Sequence, residues 1–286
     1  MIDNQIDWNE VWKEQMTKHN EMSGGMDCAT YWDDKEEARN YWKMVQDGEI
    51  FVSSLLKDMK IDPHFRVLDV GAGPGTLVLP ISKKAAHVTA VEPSSSMICV
   101  LRENIDNSGI ENIGCVQKRW EEIDLENDLD TPYDLVIASF SLGMTDIKAA
   151  IQKMMDASSK YVYLAWFAGE PSWDAHYREL STQLYGNAVY CPMPKSDVIF
   201  NLLYQMEIYP NVRVFPFQML HRFSSLEDAV DYFSGQFRVT EEGHKAKLRE
   251  ILPHILENEG DSWILCHHSL NMMIWWDKNE HGTKSQ

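Results

Sequence analysis

From about residue 64 the chain alternates short apolar runs with segments of helical period. Residues 65–70, 87–91, 114–116, 134–139 and 160–166 are apolar runs bounded by turn residues, and they read as strands. Residues 76–84, 94–105 and 147–157 between them read as helices. Strand and helix alternating in this way predict βαβ units, a parallel sheet with helices on both faces. Before this stretch, residues 1–60 read as helical. Trp8, Trp12 and Met16 recur every four residues, Tyr41, Met44 and Val45 recur similarly, and Gly24-Gly25 divides the region. After residue 167 the rhythm loosens. Helices are expected at 173–184 and 197–206, and a strand at 212–217. Ser224-x-x-Glu227 has capping-box spacing at the start of a helix over 226–233. A further helix over 241–257 should be kinked or divided by Pro253. Residues 264–276 are apolar and β-rich, and 277–286 form a polar tail expected to fray. The chain has no linker composition and no internal repeat.

Composition narrows the function classes. The 286 residues carry 26 Lys and Arg against 44 Asp and Glu, a formal charge of −18. Such a surface repels phosphate backbones, which argues against a nucleic-acid partner. Five scattered cysteines, Cys28, Cys99, Cys115, Cys191 and Cys266, fit a reducing compartment better than a disulfide framework. The first residues lack a basic region followed by an apolar one, and no run reaches the ~18 apolar residues of a membrane span. A cytoplasmic protein is expected.

The chemistry concentrates at Val67-Leu-Asp-Val-Gly71-Ala-Gly73-Pro-Gly75. A strand ending in alternate glycines and opening a helix lets the backbone approach a ligand closely. Glu92 follows at the end of the second strand, where a carboxylate can accept hydrogen bonds from both hydroxyls of a ribose. A dinucleotide site would carry G-x-G-x-x-G to meet a pyrophosphate. Here the spacing is G-x-G-x-G, with Asp69 ahead of it. An acidic side chain beside the loop repels phosphate and attracts an ammonium group, so a nucleoside bearing an amino acid fits: S-adenosylmethionine.

Three blocks carry a resemblance: Leu68-Asp-Val-Gly-Ala-Gly-Pro-Gly75, Val91-Glu-Pro-Ser-Ser-Ser-Met97 and Tyr133-Asp-Leu-Val-Ile-Ala-Ser-Phe140. The chain resembles the class I S-adenosylmethionine-dependent methyltransferases, in particular the group with quinone-type and other small-molecule enzymes. The resemblance implies a three-layer α/β/α Rossmann-like fold, with a seven-stranded, mostly parallel sheet whose last strand is antiparallel. It divides the chain into a helical extension or lid over residues 1–60, the methyltransferase domain over 61–276 with helical insertions near 168–210 and 218–262, and a flexible tail over 277–286. By the same resemblance, Gly71, Ala72 and Gly73 would line the methionine part of the cofactor, with Asp69 near its amino group. Glu92 would hold the ribose, Pro93 and Met97 would pack on the adenine, and Trp120 would stand at the adenine edge. Ser139 and Phe140 would face the sulfonium and the acceptor. Trp32, with Tyr31, resembles the aromatic segment that closes over the cofactor.

The remaining motifs read more plainly. In Cys266-His267-His268 a strand would send His267 to the face opposite its neighbours, so no metal site is expected. The Cys-Pro pair in Tyr190-Cys-Pro-Met-Pro194 lies beyond the fifth strand and reads as a loop. Six carboxylates between Glu121 and Asp130 read as a solvated helix face. Trp263, Trp275 and Trp276 either line an acceptor pocket or fill the last strand's two faces. The function expected is methyl transfer to a small molecule. An RNA or protein methyltransferase, a catalytically silent binder and an NAD-dependent oxidoreductase are the alternatives. No catalytic residue follows from a motif, since a base is needed only for a hydroxyl or acidic carbon; His221, His267 and Tyr163 are the groups at hand. Residues 1–60 and the stretch between the strands near 212 and 264 are rich in aromatics and expected to lack cores of their own. Packed at the carboxyl ends of the strands, they would form a lid.

Overall fold

The structure, a computed structural model, describes residues 6–22, 28–47, 49–186, 191–260 and 262–281. Gly24-Gly25, Tyr190 and the end of the tail lie outside the described residues. Five strands run in parallel: β1 (Arg66–Val70), β2 (His87–Val91), β3 (Ile113–Val116), β4 (Tyr133–Ser139) and β5 (Ser158–Phe167). They are followed by β6 (Asn211–Phe223), the short β7 (Glu257–Glu259) and β8 (Ser262–Asp277). The order across the sheet is β3-β2-β1-β4-β5-β8-β6, with β7 beside β8. β8 runs antiparallel to both β5 and β6. This is a Rossmann-like fold with an antiparallel last strand, as expected.

Strands β1, β2, β4 and β5 read as continuous apolar runs because helices cover both faces. On one face, Val67, Val88, Leu135 and Tyr163 pack with Val78, Ile81, Ile98 and Leu101 of the helices Val78–Ser82 and Ser95–Ser108. On the other, Leu68, Val136 and Leu164 pack with Ile151 and Met154 of the helix Ile147–Ala157 and with Ile199 and Leu202 of the helix Ser196–Gln205. The helix Trp8–Met22 joins this second face through Trp12 and Met16, the buried side of its four-residue repeat.

Four expectations are corrected. The strand near 212 runs on to Phe223, and 241–257 is a helix, Glu242–Ile251, then a 3-10 turn carrying Pro253, then β7. The acidic run is not a helix beyond Trp120–Glu122. Asp124 accepts the Glu126 N–H and Asp128 accepts the Asp124 N–H, so these side chains fold the run into turns. The stretch after β6 does have a core of its own: Phe223 and Leu265 of β6 and β8 pack with Val230, Phe233, Leu248, Ile251 and Leu180. Trp263 joins this outer cluster, Trp276 lies in one main core, and Trp275 stacks on Tyr163 in the other. These tryptophans fill the faces of β8.

Candidate active site

The turn after β1 takes its shape from three glycines with positive φ: Gly71 at 72°, Gly73 at 54° and Gly75 at 100°. Gly71 is required twice, since a Cβ there would stand 2.2 Å from Cβ of Ser141. Its N–H and that of Ala72 donate to Val91 O at 2.8 and 3.1 Å, which closes the loop onto β2. Ser141 donates its hydroxyl to Val70 O and ties the end of β4 to the same turn. Gly73 differs: a Cβ there would meet nothing within 4 Å. It faces open space at the carboxyl ends of the strands.

Two buried carboxylates stand under this opening. Glu92, 6% exposed, accepts the Gly73 N–H and the Ser94 N–H, each at 2.8 Å. Burial pushes its pKa up, and those two hydrogen bonds oppose the shift. Each carboxylate oxygen keeps a lone pair for a further donor. Asp69, 2% exposed, has no basic side chain paired to it among the described residues. Burial, reinforced by the charge of Glu92, pushes its pKa up to about 7. An unpaired carboxylate at this position fits a cationic group on a ligand, and an unfilled space at Gly73 fits the ligand's backbone approach.

The segment from Tyr31 to Tyr41 covers this opening. The Asp33 carboxylate accepts from Ser95 N and Oγ at 3.0 and 2.8 Å, while Ser94 and Ser96 donate their hydroxyls to the carbonyls of Trp32 and Asp33. The Trp32–Asp33 turn is thereby pinned to the first turn of the helix that follows β2. Trp32 packs on Tyr31 and Tyr41, and Trp32 and Tyr41 with Ala38 meet Met97 and Val100. Tyr41 is half-buried near Glu92; burial and that charge push its pKa up to about 12, against a hydrogen bond with Thr76. Sequence reasoning missed Tyr41 as a site residue; its helical periodicity with Met44 and Val45 was the only signal.

Of the residues expected at the site, the structure brings together Asp69, Gly71, Ala72, Gly73, Glu92 and Met97, with Trp32 above them. Pro93 lines a neighbouring cleft of about 240 Å3 with Thr30, Asp33, Arg119 and Glu122. Trp120 is not in that cleft. Its ring is 2% exposed in the core, and its Nε1 donates to Ala150 O at 3.1 Å. Ser139 ends β4, and Phe140 follows in a left-handed conformation, φ 54°, held by its N–H on Ala165 O. A non-glycine residue in this region stores strain of the kind found at functional turns. Phe140 turns its ring toward Phe167 and Trp166.

The sequence profile of a family described as "Methyltransferase domain" matches residues 67–160. Residues 67–160 are thus a methyltransferase domain of the S-adenosylmethionine-dependent kind. S-adenosylmethionine is the cofactor of the family. The chain is 28% identical over 132 residues to an uncharacterized protein of Haemophilus influenzae, covering 46% of this chain and 48% of that protein. It is 30% identical over 90 residues to ribosomal RNA small subunit methyltransferase G of Sodalis glossinidius, covering 30% of this chain and 44% of that one. The chain thus spans about half or less of the length of these curated relatives. A candidate methyltransferase from Bacillus halodurans shares the fold, with a TM-score of 0.55 at 14% identity over 79% of this chain and 98% of that one. Among the described residues, no helix is long and apolar enough to cross a membrane.

Proposed function

We propose that the chain transfers the methyl group of S-adenosylmethionine to a small-molecule acceptor. The observation that carries this is the pair of buried carboxylates under an open glycine, with an aromatic segment pinned across the top. When bound, S-adenosylmethionine supplies a methyl group on a sulfonium, open to in-line displacement. Glu92 accepts the ribose hydroxyls with its remaining lone pairs, and Asp69 faces the ammonium. Gly71, Ala72 and Gly73 lie along the methionine part, and Pro93 and Met97 border the adenine. Ser139 and Phe140 stand where the acceptor meets the methyl. The protein's contribution is to orient the two reactants and exclude water, which the cover formed by Trp32 and Tyr41 supports. Trp120 has no part in this proposal.

The ribosomal RNA methyltransferases among the relatives favour a second reading, an RNA acceptor. The charge of −18 opposes it, because RNA binding draws on basic surface. Incubation with S-adenosylmethionine carrying a labelled methyl group, in the presence of fractionated cell extract, separates the two. Label is expected in the small-metabolite fraction. Label confined to RNA or protein would contradict the proposal.

A further inference from the structure

Methyl transfer needs a place for the acceptor, and the following rests on the function proposed above. β6 and β8 pair from Asn211–Trp275 to Phe223–Trp263, whereas β5 accompanies β8 only between Tyr161 and Phe167. The outer half of the β6–β8 pair therefore stands beyond the carboxyl edge of the sheet. The register sets Ser139, Ala165 and Met273 side by side, then Phe167, Asn271 and Phe215 one step further out. Residues two apart share a face, so Asn271, Ser269 and His267 continue the face that carries Asp69 and Ser139.

Along this face a polar stretch separates two apolar clusters. Phe215 and Met273 belong to the main core, and Phe223 and Leu265 to the outer one. Between them Asn271 is 0% and His267 8% exposed. Yet Asn271 Nδ2 and the Nδ1 atoms of His267 and His221 meet no hydrogen-bond partner among the described residues. Unpaired buried polar atoms are costly, and a fold that keeps three on one face points to a ligand that pairs them. A row of rings leads there from Phe140: Phe140 to Phe167 at 5.0 Å, Phe167 to Trp173 at 5.3 Å and Trp173 to His267 at 5.8 Å. His221 lies 6.3 Å from His267 and 4.5 Å from the Tyr232 ring. Gln236 donates to the hydroxyls of both Tyr232 and Tyr31, joining the helix Leu226–Phe237 to the cover over the cofactor site. The helix Lys35–Asp47 contacts both β6 and the helix Ser95–Ser108, which closes the same side.

We propose that this stretch of the β6–β8 face, with Asn271 at one end and His267 and His221 at the other, holds the methyl acceptor: a neutral, elongated aromatic molecule with a hydroxyl at each end. Four residues along a strand span about 13 Å, which sets the length. The row of rings sets the aromatic character. Burial pushes both imidazoles down to about 4, His267 further through His221, His176 and His268, while Asp228 pulls His221 weakly the other way. The imidazoles are thus uncharged at neutral pH and accept from a hydroxyl, while Asn271 donates to one.

The test is fluorescence titration with trans-4,4′-dihydroxystilbene, with and without S-adenosylhomocysteine, on the wild type and on His267→Phe and Asn271→Leu. The wild type binds the probe, and each variant binds it at least about tenfold more weakly. S-adenosylhomocysteine affinity stays unchanged, and ligand-free His267→Phe melts at higher temperature because an orphaned polar atom is gone. Asn271→Leu also strips the Ser269 hydroxyl of the Oδ1 it donates to at 2.8 Å, and is read by probe binding alone. No binding by the wild type, binding by both variants equal to the wild type's, or a lower melting temperature of His267→Phe would overturn the proposal. Transfer of labelled methyl to the probe is read separately. A probe held through these residues but never methylated would fail the proposed function and leave the binding site standing.

Discussion

At the scale of single residues, the glycine loop separates two jobs that its spacing alone runs together. Gly71→Ala combines a left-handed residue with a collision against Ser141, and should cost about 2–5 kcal/mol of stability. Gly73→Ala pays only the backbone term, about 1–2 kcal/mol, but its Cβ enters the open crevice. Thermal melts and cofactor titrations on the two variants should therefore rank them in opposite orders. Asp69 makes a second prediction. Its folded pKa is raised to about 7 from an ordinary 3.8, so its share of stability is full below the lower value and lost as pH rises through the higher one. A ligand ammonium reverses that cost by favouring the ionised form. S-adenosylhomocysteine affinity should rise by about tenfold per pH unit between pH 5.5 and 7, with a proton released on binding. Calorimetry in two buffers of different ionisation heat checks this, and Asp69→Asn should flatten the slope.

These residues were legible in the sequence because their chemistry is local: a strand, a turn that only glycine allows, and an acid at the end of the next strand. Trp120 was not. Its neighbours on the chain do border the cleft, but Lys153 and Ala150, on the helix Ile147–Ala157, draw its ring into the core. Nor does any motif single out His267 among the three groups at hand for a base. Its importance comes from burial under helices distant in sequence, which no local pattern records.

At the scale of elements, the helical extension is anchored at two places with different consequences. Trp12 is fully buried, packs tilted against Trp166, and donates its Nε1–H to Met144 O at 2.8 Å in the loop after β4. Trp12→Ala should cost about 3–5 kcal/mol, read by denaturant unfolding. Asp33 instead sits at the surface and holds the covering turn to Ser95. Asp33→Ala should leave the unfolding midpoint nearly unchanged while weakening cofactor binding several-fold. Equal losses of stability in the two variants would show that the extension serves packing alone. The periodicity of 8–22 made its buried side readable. The length of the β6–β8 pair was not readable, because alternation there places polar residues inward where alternation ordinarily turns them outward.

At the scale of the whole molecule, the additions before and after the sheet converge on the same edge. The extension reaches the glycine loop through Trp32 and Tyr41, and Tyr31 meets the outer helices through Gln236. The outer helices have a core of their own, so they form a second wall with its own support. The sheet order places Asp69, Glu92 and Ser139 at the carboxyl edge beneath that junction. The proposed function depends on a nucleoside held by Glu92. The most direct test is calorimetric titration of S-adenosylhomocysteine into the wild type and Glu92→Ala. Loss of two charge-assisted hydrogen bonds, on the order of 2–4 kcal/mol, predicts affinity lower by roughly 30- to 1,000-fold in a variant that remains folded. Equal affinity in the two proteins would contradict the account.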